Sequence, residues 1–140
     1  TVSLKLLLDT PRGIGFQVWP AAFELVRFLE SLSTGTSTEE DDGPKEGLFG
    51  KRVLELGSGC AACGLAAAVL GASSVTLTDV EDVAPHTTRN LQRNIEMVHS
   101  ATLRKSCNVS CDVLDWNRDN REQSPRGSFD VVLLSDCLYW

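Results

Sequence analysis

Three features of the chain predict a doubly wound α/β fold with a mostly parallel sheet. The apolar run Val53-Leu54-Glu55-Leu56 ends in Gly57-Ser58-Gly59, and an alanine- and leucine-rich stretch follows to about residue 70. That is the order of a strand, a tight turn and a helix. A second short run, residues 74–78, ends at Asp79. Both runs are continuous rather than alternating, as expected of strands covered on both faces by helices.

Taken in order, residues 2–8 alternate loosely and predict a strand, and Thr10-Pro11-Arg12-Gly13 is a turn signal. After Gly15-Phe16-Gln17-Val18-Trp19-Pro20, the spacing of Leu25, Phe28, Leu29 and Leu32 predicts a helix. Pro20 suits its first turn, where a missing N–H costs nothing, and Trp19 falls at its mouth. Residues 33–50 turn polar, carry the run Glu39-Glu40-Asp41-Asp42 and offer only Leu48 and Phe49 to pack. A mobile acidic loop is expected there. Beyond Asp79 a further helix is predicted, with Glu81 and Asp82 at its positive end, Pro85 in its first turn and Leu91, Ile95 and Val98 on one face. Residues 107–111 predict a third strand, 117–128 a polar loop broken by Pro125 and Gly127, and 129–134 a fourth strand. The fourth strand is expected to be an exposed edge.

Composition narrows the class. At 140 residues one domain spanning 1–140 is expected, large enough for a core without staples. A net charge of −6 argues against binding to phosphate backbones, so nucleic acid is not the expected partner. No apolar stretch reaches the roughly 18 residues of a membrane span, and no signal-peptide layout opens the chain. No membrane partner is expected; the cytoplasm is the expected compartment, with the nucleus as the alternative. Five cysteines, an odd count, fall in apparent strands and a helix start, which suits a reducing compartment. The pairs Cys60/Cys63 and Cys107/Cys111 have ligand-like spacing, but the first lies in the glycine turn and the second is spread along a strand, so no metal is expected. His86 and His99 read as surface residues.

In an open α/β sheet the ligand lies outside the carboxyl ends of the strands. That rule gathers Gly57 and Gly59, Asp79, Asp115 with Trp116, and residues 135–139 on one edge. Asp79 comes 20 residues after Gly59, at the end of the next strand, where a carboxylate can accept both hydroxyls of an adenosine ribose. Two nucleoside cofactors fit the glycines, since Gly57, Gly59 and Ala62 also satisfy the G-x-G-x-x-A fingerprint of an NAD-binding oxidoreductase. Glu55 separates them. A carboxylate beside the turn repels a pyrophosphate but attracts the ammonium and sulfonium of S-adenosyl-L-methionine, which is therefore the cofactor expected.

The set Val18-Trp19-Pro20-Ala21-Ala22, Val53 to Gly59, Leu77-Thr78-Asp79, Leu114-Asp115-Trp116 and Asp136-Cys137-Leu138-Tyr139 resembles the family 16 methyltransferases, the seven-strand protein-lysine methyltransferases of the class I, Rossmann-like fold. The motifs fall in the family's order and cover nearly the whole chain. The resemblance implies that Trp19 and Trp116 pack around S-adenosyl-L-methionine, that Glu55, Gly57, Ser58 and Gly59 hold its methionine part, Asp79 its ribose, and Asp115 and Trp116 its adenine side. Ser135 stands where the family has a small residue lining the same pocket. Asp136 and Tyr139 would form a D-x-x-Y motif facing the substrate amine, Asp136 attracting the ammonium and Tyr139 walling the channel. It implies a lysine side chain of a protein as substrate, with a chaperone or other protein as partner; a non-catalytic cofactor-binding module is the alternative. Two departures stand out. Cys60-Ala61-Ala62 replaces the family's Thr-Gly-Leu, with a glycine recovered only at Gly64, and the family sheet continues beyond the fourth core strand, where this chain is expected to be truncated.

Overall fold

Strand β1 (Arg52–Leu56) lies inside a four-stranded parallel sheet, with β2 (Ser74–Asp79) and then β3 (Asn108–Val113) on one side and β4 (Val131–Leu134) on the other. The computed structural model describes residues 3–34, 47–101, 107–118 and 127–137. The chain steps outward from β1 to β3 and then returns across β1 to β4, so winding reverses between β1 and β4. Such a switch point leaves a crevice at the carboxyl ends of the strands. The fold is the Rossmann-like α/β class expected.

The register explains which residues form the core. Val53 lies opposite Val75 and Val131, Glu55 opposite Leu77 and Leu133, and Leu77 opposite Cys111. Because side chains alternate along a strand, Val53, Glu55, Val75, Leu77 and Leu133 share one face, and all five are buried. Helix α2 (Ala62–Val69) packs on that face and helix α1 (Pro20–Thr34) packs on α2, while α3 (Ala84–Ala101) lies against β2 and β3. Alanines at 66, 67 and 68 let α2 lie close to the sheet, and all three are buried. Gly64 is where the approach is tightest: a Cβ there would overlap Leu77 Cδ2 and stand 2.5 Å from Glu55 Oε2. The close helix–strand packing that a dinucleotide fingerprint assigns to its third glycine is thus done here by Gly64.

Several expectations are corrected. Residues 3–9 form no strand; their backbone is held instead by side chains of α3, because no strand edge lies beside them. Phe28 is exposed although Leu29, next to it, is buried. Strand β3 runs on to Val113, since Asp112 and Val113 continue the ladder opposite Thr78 and Asp79. Strand β4 begins at Val131, because Asp130 turns to a two-oxygen pairing with Arg52, taking its backbone N–H at 2.8 Å and its Nη2 at 2.9 Å. His86 is buried, not a surface residue: it meets the Phe16 ring edge-on at 5.1 Å. His99 lies on the exposed side. In β4, Val132 and Leu134 are half-exposed while Leu133 is buried, and the outer edge of this strand pairs with no other among the described residues. Helix α1 extends to Thr34 and Leu48 packs into the core, as expected of that residue; the acidic run 39–42 and most of the loop 117–128 lie outside the described residues. No described helix is long and apolar enough to cross a membrane.

Gly64→Ala is expected to cost about 1–3 kcal/mol, the usual range for forcing an extra methyl into a packed interior. Urea denaturation measures it, and an unchanged midpoint would contradict the packing described.

Candidate functional site

The turn after β1 is built from alternating constraints. Gly57 and Gly59 have φ of +63° and +49°, conformations that a side chain resists. Space is also closed at both: a Cβ on Gly57 would stand 2.8 Å from Cys137 Sγ, and one on Gly59 would stand 3.2 Å from the Gly15 carbonyl oxygen. Ala61 adopts φ +65° as well. This chain therefore carries a left-handed conformation on an alanine, at a cost of about 1–2 kcal/mol.

Hydrogen bonds sew the turn to β2. Ser58 N–H donates to the Thr78 carbonyl at 2.9 Å, Thr78 N–H donates to Ser58 Oγ at 2.9 Å, and Thr78 Oγ1 donates to the Glu55 carbonyl at 2.7 Å. The Ser58 hydroxyl is thereby spent on the scaffold. Asp79 Oδ2 accepts from Gly59 N–H at 2.7 Å and Oδ1 from Val80 N–H at 2.8 Å. Burial raises the Asp79 pKa, opposed by those two N–H groups. Glu55 is more extreme. It is buried, one oxygen accepts from Gly64 N–H at 3.0 Å, and burial pushes its pKa up to about 8 against that bond.

The other strand ends complete the site. Asp115, after β3, accepts from Asn117 N–H at 2.9 Å and pairs with Arg118 at 3.2 Å, and Trp116 is half-exposed beside the Gly57 turn. After β4, Ser135 Oγ is buried without a hydrogen-bond partner. Asp136 has φ +50°, and its Oδ2 accepts from Ala21 N–H at 3.2 Å, so it pins the start of α1 to the end of β4. Trp19, at the mouth of α1, donates its indole N–H to the Ile14 carbonyl at 3.0 Å.

Trp19, Glu55, Gly57, Ser58, Gly59, Asp79, Asp115, Trp116, Ser135 and Asp136 all line one cleft of about 740 Å³ at the switch point. Tyr139 lies outside the described residues. Residues 12–18 form a wall of the same cleft, and Cys60, Cys63 and Cys137 also line it; sequence reasoning gathered Cys137 to this edge with residues 135–139 but did not place residues 12–18, Cys60 or Cys63 there. Burial raises Cys60 to about 11 and Cys63 to about 12, so both stay thiols, and Cys137 Sγ donates to the Leu56 carbonyl at 3.1 Å. Among the described residues no cluster of His, Cys, Asp or Glu is placed to hold a metal ion.

The charge of the lining is one-sided: the carboxylates of Asp79, Asp82, Asp115 and Asp136, beside the buried, protonated carboxyl of Glu55, face a single basic lining residue, Arg12. Such a cleft opposes a pyrophosphate and suits a ligand that brings positive charge together with hydroxyls. The glycine cradle and the unpaired Ser135 hydroxyl fit a ligand pressed against the turn.

Residues 1–140 match the family described as "Lysine methyltransferase". The chain is 36% identical over 137 residues to Protein N-lysine methyltransferase METTL21A of Danio rerio, an alignment covering 97% of this chain and 54% of that protein. It is 33% identical to Protein-lysine N-methyltransferase rrg1 of Schizosaccharomyces pombe, covering 99% of this chain and 42% of the relative. With EEF1A lysine methyltransferase 3 of Xenopus tropicalis the identity is 31%, covering 91% and 46%. The chain thus spans about half the length of the curated relatives it matches.

Glu55 gives this site a pH signature. In the folded protein it keeps its proton to about pH 8, against an ordinary value of 4.5. Between the two the folded state binds more protons than the unfolded chain, so stability falls as pH rises through that window and levels above it. Glu55→Gln keeps an acceptor for Gly64 N–H and removes the titration. Its urea-denaturation profile is expected to be flatter than wild type, by on the order of a few kcal/mol across the window. Parallel profiles would contradict the burial of a protonated carboxyl here.

Proposed function

The chain belongs to the lysine methyltransferase family, and we propose from that premise that it carries the cofactor site of an S-adenosyl-L-methionine-dependent enzyme that methylates a lysine side chain of a protein. The observation that carries the proposal is the cleft itself: four aspartates, the buried carboxyl of Glu55 and a glycine turn gathered at a topological switch point. In the proposed complex Glu55 and the Gly57-Ser58-Gly59 backbone receive the methionine end, Asp79 the ribose hydroxyls, Asp115 and Trp116 the adenine side, and Trp19 and Ser135 the remaining walls. When bound, S-adenosyl-L-methionine supplies a methyl group on a sulfonium.

The protein's share of such a displacement is to position a desolvated amine in line with that methyl. Asp136 is assigned the task of attracting and orienting the lysine ammonium. Its support is position, at the carboxyl end of β4 on the cleft, with the carboxylate steadied by the Ala21 N–H. Tyr139 as a channel wall rests on the D-x-x-Y resemblance. The net charge of −6 favours a basic protein segment over nucleic acid, and a chaperone or other protein partner belongs to that class. Cytoplasmic residence, with the nucleus as alternative, is part of the same proposal, supported by five free cysteines.

Isothermal titration is expected to show binding of S-adenosylhomocysteine and none of NADH; the reverse would overturn the cofactor assignment. Asp136→Asn keeps an acceptor for Ala21 N–H and removes the charge. It is expected to leave S-adenosylhomocysteine affinity within about threefold while cutting radiolabelled methyl transfer to protein in a cell extract by about 100-fold. Undiminished transfer would remove Asp136 from the mechanism.

A further inference from the structure

The segment leading into the cleft wall has no strand beside it among the described residues, yet the backbone groups of Lys5 and Leu7 are matched. Asn90 Oδ1 accepts from Leu7 N–H at 2.6 Å and its Nδ2 donates to the Leu7 carbonyl at 3.2 Å. Asn94 repeats the pattern on Lys5, at 2.8 Å and 3.1 Å. A side-chain amide offers the same acceptor and donor as a peptide unit. Four residues of α-helix rise about 6 Å and two residues of extended chain about 6.6 Å, so asparagines four apart on α3 match alternate residues of an extended segment. Both side chains are fully buried. The latch is therefore a ladder made by a helix in place of a strand.

The same helix face also grips the glycine turn. Thr87 Oγ1 donates to the Gly59 carbonyl at 2.7 Å. One turn before Asn90, His86 Nε2 lies 3.0 Å from the Leu7 carbonyl and 3.6 Å from Cys60 Sγ, with its ring against Phe16. Beyond Leu7 the chain closes on itself through Asp9 N–H to the Phe16 carbonyl at 2.8 Å, which sets Gly15 against Gly59. Residues 12–19 line the cleft, whereas Asn90 and Asn94 do not.

We infer that Asn90 and Asn94 are positioning residues for the cofactor: by holding residues 5 and 7 they keep residues 12–19 in place as a wall of the cleft, so cofactor affinity depends on two amides that never touch it. The inference rests on the cofactor reading given above. Its energetic form is simple. When the wall is in place only a fraction of the time, the apparent dissociation constant rises by the inverse of that fraction.

The test uses variants on both sides of the latch. Lys5→Pro removes one N–H from the exposed segment and leaves α3 unaltered; Lys5→Ala keeps that N–H and serves as the conservative reference. Asn94→Asp replaces the donor to the Lys5 carbonyl with an acceptor. Lys5→Pro and Asn94→Asp are each expected to raise the S-adenosylhomocysteine dissociation constant about tenfold, with Lys5→Ala within about twofold of wild type. Hydrogen exchange across residues 12–19 of the ligand-free protein is expected to quicken in the same two variants, a change that a merely structural contribution to global stability would not confine to this wall. Faster exchange with unchanged affinity would overturn the inference, as would unchanged exchange. Should Asn94→Asp fail to fold, Lys5→Pro decides alone. A wild type that binds no S-adenosylhomocysteine overturns the cofactor reading, while the exchange comparison still decides whether the amides hold the wall.

Discussion

A carboxyl group buried in a sheet, with one hydrogen bond from the first turn of a helix, sets the geometry on which the rest of this site depends. Glu55 and Gly64 are joined at 3.0 Å, and the contact exists because position 64 has no side chain. It brings α2 down onto Leu77 and Val75, fixes where the helix begins, and so fixes the path of the turn that must connect β1 to it. The turn has little freedom left. Ser58 and Thr78 bind it to β2, Thr87 binds it to α3, and Asp79 takes the Gly59 N–H. Burying Glu55 is unfavourable, which is why its pKa rises to about 8. A cost of that kind is usually retained where a site needs the group.

Three separate segments meet at this turn: the strand ends, the start of α1, and the segment before it. Asp136 connects the first two through Ala21, and the polar face of α3 connects the third. Both connections are made by side chains reaching backbone groups, so specific bonds fix the cleft walls alongside the packing of Leu4, Leu6 and Val18 against the core. The acidic lining then decides what such a cleft can hold. Charge selects against pyrophosphate, and the proposed cofactor is the one whose positive centres would offset it.

The parts of this arrangement that were legible in the sequence are those set by local rules. Gly57 and Gly59 announced the turn, Asp79 followed at the end of the next strand, and β1, β2 and α2 fall within a residue or two of where periodicity puts them. Strand-end logic then gathered Gly57, Gly59, Asp79, Asp115, Trp116, Ser135 and Asp136 without knowledge of any contact, whereas Trp19 and Ser58 came from the family resemblance and Glu55 from its charge beside the turn. What was not legible depends on partners distant in the chain. The alternation of residues 2–8 signals an extended segment, but nothing in it distinguishes a neighbouring strand from a helix bearing asparagines. The spacing His86, Asn90, Asn94, Val98 was the available signal, since it marks one buried helix face carrying three polar groups; read singly, His86 looks like a surface residue. The third strand was ended before the polar Asp112, which register keeps in the ladder, and the fourth was begun at Phe129, since nothing in the sequence showed that Asp130 is engaged with Arg52.

The role proposed for Glu55 is tested most directly by calorimetry of S-adenosylhomocysteine binding at about pH 7 in buffers of different ionisation enthalpy. An ammonium brought beside a carboxyl whose pKa burial holds at about 8 lowers that pKa, so binding should release protons in the wild type and release fewer in Glu55→Gln. No proton release in the wild type, or equal release in the two proteins, would contradict the placement of the cofactor's charged end against Glu55.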